Sequence, residues 1–154
     1  MKSKMQVSLT APVFTVSYRV IYGDTDAAGV VYNANYLRYF EIARTEMMRS
    51  WAMPYSEIEQ LGYILPVTES YLRFKAPAAY DDLLALSVSL AESTKMTCRF
   101  HYAITRPRAD GPEQLLARGC TVHASVNREG KLTPLPAVVL EKITALHEKT
   151  KEAE

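Results

Sequence analysis

The residues of this chain best suited to chemistry fall in one short run, Asp24-Thr25-Asp26-Ala27-Ala28-Gly29. It sits between an extended segment and a long amphipathic stretch that has helical spacing. Gly29 has no side chain, so another molecule can come close to the backbone there. The unpaired N–H groups of a helix's first turn favour negative charge. A thioester or ester under attack develops such a charge on its carbonyl oxygen. A carboxylate beside that oxygen can attack the carbonyl or activate a water molecule. The run is therefore a plausible site for chemistry on a carbonyl. Aspartates ahead of a helix also cap it and shape turns, and spacing alone does not say which of Asp24 and Asp26 does which.

Little else in the chain competes. It has no GxSxG nucleophile elbow, no GxxxxGK phosphate loop and no GxGxxG fingerprint. His101, His123 and His147 stand far apart, and the first two would become neighbours only through strand pairing. Cys98 and Cys120 lie in strand-like segments without CxxC spacing, so two buried thiols are expected rather than a disulfide or a metal site. Ten tyrosines would suit stacking on bases, but a net charge of +1 without a basic stripe supplies no footprint for nucleic acid. The tyrosines are instead expected to line a core and a ligand pocket.

The elements that must position the carboxylates follow from periodicity. With 154 residues, 48% of them apolar and 23% charged, the chain has the make-up of one globular unit, 1–154, with its core over about 13–147. A domain of this size buries roughly 70% of its unfolded surface. Residues 13–22 are rich in β-branched and aromatic side chains and read as a strand, broken by Gly23. A helix is expected to start near Asn33 or Ala34 and to end near Met53, where Pro54 stops it. Tyr36, Phe40, Ala43, Met47 and Trp51, with Leu37 and Met48 beside them, form its apolar face. Glu41 and Arg44 are spaced for contact on its surface. A short helix over 55–61 follows, then strands over 63–74, 82–91, 96–106 and 113–126, and a final helix over 137–147. The charged tail 148–154 is expected to fray. One strand, a long helix and then four strands indicate an α+β fold with an antiparallel sheet. Residues 1–12 lack the hydrophobic core of a signal peptide, and no run is long enough to span a bilayer, so a cytoplasmic protein is expected.

Residues 22–46, YGDTDAAGVVYNANYLRYFEIARTE, resemble the signature of acyl-CoA thioesterases of the 4-hydroxybenzoyl-CoA thioesterase type, which include those associated with the Tol-Pal system. The pattern is D-x-D-x-x-G-x-V, an aromatic, a polar residue, and a tyrosine opening a long helix. A second block, Tyr71-Leu72-Arg73-Phe74-Lys75-Ala76-Pro77-Ala78 followed by Asp81-Asp82-Leu83, is also similar, and the likeness runs over about residues 16–126. The resemblance implies a hotdog fold, an antiparallel sheet wrapped around one long central helix. It implies a homodimer or homotetramer with sites between subunits, an acyl-CoA substrate, and no metal or other cofactor. Carried over residue by residue, it makes Asp26 the catalytic carboxylate and Asp24 a supporting residue. Gly29, Val31, Tyr32 and Asn33 would contact substrate, with the Asn33 backbone N–H facing the thioester oxygen. Many relatives have histidine at this position, so the asparagine here removes a side-chain acid or base. Lys95, in a turn over 92–97, and Lys131 would hold the phosphates of coenzyme A. Two other activities remain open at this point. A hydratase or dehydratase of the same fold would need a catalytic histidine that the motif lacks. A non-catalytic acyl-CoA-binding module would bind the same ligands without turnover.

Overall fold

The computed structural model describes residues 5–152. The first four residues of the segment expected to lack a signal peptide, and the last two of the tail expected to fray, lie outside the described residues. The chain forms β1 (Phe14–Arg19), a 3-10 turn (Tyr22–Asp24), α1 (Asn35–Trp51), α2 (Tyr55–Gln60), β2 (Tyr63–Ile64), β3 (Val67–Phe74), β4 (Leu83–Ser93), β5 (Thr97–Arg106), β6 (Gln114–Ala124), β7 (Val126–Asn127) and α3 (Ala137–Glu152). Five strands pair antiparallel in the order β1-β4-β5-β6-β3, and β2 pairs with β7 apart from them.

The sheet turns one face toward α1. Leu86, Val88 and Leu90 of β4 pair with Ile104, Tyr102 and Phe100 of β5, and all six are buried. Opposite them β6 brings small residues inward: Ala117 faces Ile104 and Gly119 faces Tyr102. That smallness seats the helix. A Cβ on Gly119 would run into the Tyr71 carbonyl and come within 2.8 Å of the Phe40 ring. Without one, Phe40 stacks on Tyr102 with centroids 4.2 Å apart.

The buried side of α1 consists of Tyr36, Tyr39, Phe40, Ala43, Met47 and Met48. This differs from the expected face at three positions, one of them Trp51, which is only partly buried. Leu37 is exposed, while Tyr39 is completely buried. The reason is β1: Tyr18 meets Tyr39 with ring centroids 4.8 Å apart, and this contact turns the covered side of the helix toward 39, 43 and 47.

Three boundaries also depart from expectation. The strand expected over 63–74 is two strands, because Pro66 has no N–H for a ladder and the Leu65 N–H goes to the Tyr55 hydroxyl at 3.0 Å. The strand expected over 113–126 breaks at Ser125, whose N–H turns to the Met96 carbonyl at 2.8 Å. The final helix does not stop near His147 but runs through Glu152. Its buried Val139, Ile143 and Leu146 repeat at helical spacing. Cys98 and Cys120 are free buried thiols, as expected, and burial pushes Cys98 up to about 11.

Candidate active site

Residues 20–35 form the loop between β1 and α1, and Asp24 is its anchor. The Asp24 side chain is only 1% exposed. Its Oδ2 accepts the Tyr18 hydroxyl at 2.7 Å, the Tyr39 hydroxyl at 2.9 Å and the Ile21 N–H at 3.4 Å. Its Oδ1 lies 3.5 Å from the exposed Arg38 guanidinium. The Asp24 carbonyl accepts both the Tyr32 N–H and the Asn35 side-chain amide at 2.8 Å. One residue thus ties strand, turn and helix together. Burial raises the Tyr18 phenol to about 12, and the hydrogen bond to Asp24 and its charge add to the effect. The same causes push Tyr39 up. Both phenols stay protonated and keep donating.

Asp26 has the opposite surroundings. It is exposed at the tip of the loop. Its Oδ1 accepts the Ala28 N–H at 2.9 Å, an Asx turn, and its carbonyl accepts the Gly29 N–H at 3.0 Å. Its other carboxylate oxygen has no protein donor among the described residues. Gly29 has φ +83°, a left-handed conformation that glycine adopts without a steric cost. The Val31 N–H bonds the Ala78 carbonyl at 2.9 Å, fastening the loop to the segment after β3.

The free backbone donors just ahead of α1 include the Asn33 N–H. The helix begins at Asn35, and the N–H groups of Asn35, Tyr36 and Leu37 are already bonded to the carbonyls of Tyr32, Asn33 and Ala34 at 2.9, 3.3 and 3.2 Å. These tight turns complete the helix's first turn internally. The N–H groups of Asn33 and Ala34 are the ones that meet no acceptor among the described residues. Asn33 borders a cleft of about 330 Å3 whose other walls include Val30, Val31, Tyr36, Phe74 and Pro77. Asp26 stands on the same loop, outside the lining of that cleft. Tyr36, pushed up by burial, uses its hydroxyl to accept the Ala78 N–H at 3.2 Å.

The loop therefore brings together Asp26, Gly29, Val31, Tyr32 and Asn33, with Val31 buried and Tyr32 half exposed. It does not bring in the two lysines. Lys95 is exposed in the turn after β4, where its carbonyl accepts the Leu135 N–H at 2.8 Å. Lys131 follows β7, and its N–H bonds Asn127 Oδ1 at 2.9 Å. Val20, beside the Asp26 loop, is bonded to Asp82 at the start of β4. Lys95 is at the far end of that strand, roughly 30 Å away by strand rise. His101 and His123 do not pair either: His101 faces Cys120, and His123 faces Cys98. Sequence reasoning missed Tyr18 and Tyr39. Tyr39 had one signal, its three-residue spacing from Tyr36. Among the described residues no three His, Cys, Asp or Glu side chains are grouped to hold a metal ion, and no helix is long and apolar enough to cross a membrane.

The profile of the thioesterase-like superfamily matches residues 20–143, most of the chain. The chain belongs to that superfamily. It is 32% identical to the acyl-CoA thioesterase YbgC of Haemophilus influenzae over 125 residues, 79% of this chain and 86% of the relative. The crystal structure of a hypothetical protein from Aquifex aeolicus superposes with a TM-score of 0.76 at 35% identity, covering 84% of this chain and 98% of that one. A 1,4-dihydroxy-2-naphthoyl-CoA thioesterase from Synechocystis gives 0.79 at 28% identity, covering 88% and 98%. The fold is accordingly the hotdog, an α+β arrangement with its antiparallel sheet around α1, and the enzyme class of this superfamily member is thioester hydrolysis.

Proposed function

We propose that this thioesterase hydrolyses acyl-CoA to the free acid and coenzyme A, with Asp26 as the reacting carboxylate. The observation that carries the assignment is the contrast between the two aspartates. Asp24 is buried and its Oδ2 is filled by two phenols, whereas Asp26 is exposed with an oxygen to spare. The named relatives that act on acyl-CoA support the substrate class.

The thioester carbonyl oxygen lies over the Asn33 and Ala34 N–H groups, which stabilise the negative charge it gains. Loss of one such donor typically costs roughly 3 kcal/mol. On one route Asp26 attacks the carbonyl carbon, the C–S bond breaks with the electron pair leaving on sulfur, and water then hydrolyses the anhydride. On the other route Asp26 takes a proton from water as the water oxygen adds to the carbonyl, and the departing thiolate collects that proton. Both routes return Asp26 unchanged and need no side-chain acid at Asn33. Gly29, Val31 and Tyr32 shape the substrate's approach.

Lys95 and Lys131 serve coenzyme A phosphates from a neighbouring copy, since within one chain they stand at the far end of β4. This reading requires a homodimer or homotetramer of single-domain subunits, 1–154. Two free thiols suit a cytoplasmic enzyme. The test is a panel of aliphatic and aromatic acyl-CoA substrates with a thiol-trapping dye. Enzyme-dependent release of free thiol from at least one substrate is expected. Binding without release throughout the panel would favour the non-catalytic module instead.

A further inference from the structure

One short turn closes both ends of the loop that carries Asp26. Residues 78–82 lead into β4, and their backbone meets that loop at its entrance and at its exit. At the entrance the Val20 N–H bonds the Asp82 carbonyl at 3.0 Å, and the Val20 carbonyl accepts the Asp81 N–H at 3.0 Å. At the exit the Val31 N–H bonds the Ala78 carbonyl at 2.9 Å, and Val30 forms an antiparallel bridge with Ala79. Inside the loop the Asp26 N–H bonds the Val30 carbonyl at 2.9 Å. The place of Asp26 relative to Asn33 therefore depends on the shape of a turn that belongs to neither β1 nor α1.

Two charged side chains outside the loop set that shape. Asp82 Oδ2 accepts the Ala79 N–H at 2.8 Å, while the Asp82 N–H bonds the Ala79 carbonyl at 3.2 Å, so the turn is stapled across itself twice. The same Oδ2 takes an Arg106 Nη1 hydrogen at 2.6 Å, and Nη2 of that guanidinium donates to Gln114 Oε1 at 2.5 Å. Arg106 closes β5 and Gln114 opens β6, so the turn is moored to the middle of the sheet. The side chains of Arg106 and Asp82 are only 30% and 23% exposed. A short, charge-assisted bond that is partly shielded from water holds its geometry better than a solvated pair. The staple also opposes strain: Asp81 sits at φ +69°, where a residue with a side chain stays only when its surroundings hold it. Neither Asp82 nor Arg106 lines the cleft beside Asn33.

We propose that Asp82 and Arg106 are positioning residues for thioester hydrolysis: their ion pair holds the 78–82 turn, and the turn fixes the Asp26 carboxylate against the Asn33 and Ala34 N–H groups. The proposal rests on Asp26 being the reacting carboxylate. Misplacing a reacting group by about 1 Å can cost on the order of a hundredfold in rate. The loss falls on kcat and leaves KM nearly alone, because neither side chain contacts the substrate.

Amide hydrogen exchange and steady-state acyl-CoA hydrolysis on the same full-chain variants, well below their melts, provide the test. Asp82→Ala and Arg106→Met are each expected to speed exchange of the Asp26 and Val31 N–H groups about tenfold or more, with the Tyr102 N–H in β5 unmoved. Both should lower kcat about ten- to a hundredfold, with KM within about twofold of the wild type. Arg106→Lys, which keeps a cation for Asp82, should recover much of the lost kcat. The double variant should be little slower than the slower single one, because the two side chains act as a unit. Arg49→Gln, which removes an exposed ion pair on α1, should move neither readout. Should Asp82→Ala fail to fold, Arg106→Met and its rescue by Arg106→Lys carry the same comparison. Unchanged exchange at Asp26 and Val31, a loss confined to KM, or wild-type kcat in folded Arg106→Met would overturn the proposal. Asp26→Asn, run alongside, separates this failure from that of the reading beneath it. An active Asp26→Asn chain removes Asp26 as the reacting carboxylate and the catalytic part of the proposal with it. An inactive one beside a fully active Arg106→Met chain overturns the positioning role alone.

Discussion

Asp24→Asn is expected to loosen the fold by a calculable amount. Both phenols bond the same oxygen, Oδ2, at 2.7 and 2.9 Å, while Oδ1 faces only the exposed Arg38. An asparagine that keeps its carbonyl oxygen at the Oδ2 position retains both bonds and points its amide toward Arg38. What disappears is the charge. A hydrogen bond to a charged group contributes about 1.5–3 kcal/mol and a neutral one about 0.5–1.5, so two such downgrades amount to roughly 2–3 kcal/mol. The Arg38 contact adds little, because that guanidinium is solvated. At about 2–4 °C per kcal/mol for a chain near this size, the melting temperature should fall by roughly 4–12 °C. Asp24→Ala, which leaves two buried hydroxyls without an acceptor, should cost more. Thermal and urea melts of the two variants provide the measurement. An Asp24→Asn chain that melts with the wild type would refute the reasoning that this carboxylate anchors the loop. Its turnover below the melt should remain substantial, since the reacting carboxylate is untouched.

Acid should weaken the fold through His123. Burial first, and the Arg44 charge second, lower its imidazole from 6.5 to about 4, against the opposing hydrogen bond to Leu65. The unfolded imidazole takes up its proton near pH 6.5 and the folded one only near pH 4, so this stability is present above pH 6.5 and is lost as pH falls through the window. The full effect is on the order of 3 kcal/mol, and denaturant melts across the window should show it, with a smaller slope in His123→Gln. Lys95→Ala should raise KM for acyl-CoA more than it lowers kcat, because ground state and transition state lose the phosphate contact alike; an unchanged KM would remove Lys95 from the site. Light scattering should find a dimer or tetramer at micromolar concentration, and a 17.3 kDa monomer would contradict a site shared between copies.

The sequence was most informative where structure is local. The turn holding Asp26 and Gly29 is set by residues a few positions apart, and Pro54 ends α1 by its own chemistry. Leu37 and Tyr39 show the limit of periodicity: it finds an apolar stripe, but its centre can slip by a residue or two until a neighbour such as Tyr18 fixes it. The burial of Asp24 depended on two phenols 6 and 15 residues away, and nothing in a linear pattern joins them. The separation of Lys95 from Asp26 depended on strand order, which is likewise non-local. Pro66 was a readable break inside a strand-like run, and its missing N–H was the signal overlooked.

If Asp26, and not Asp24, performs the chemistry, removing its charge must stop turnover. Asp26→Asn keeps the shape of the side chain and its turn while removing the charge and most of the basicity. Steady-state hydrolysis of an acyl-CoA substrate by this variant, with melts and acyl-CoA binding as controls, tests the claim most directly. For Asp26→Asn, kcat is expected to fall by about a hundred- to ten-thousand-fold while folding and binding persist. A kcat near that of the wild type, or a dead Asp24→Asn chain that is still folded, would contradict it.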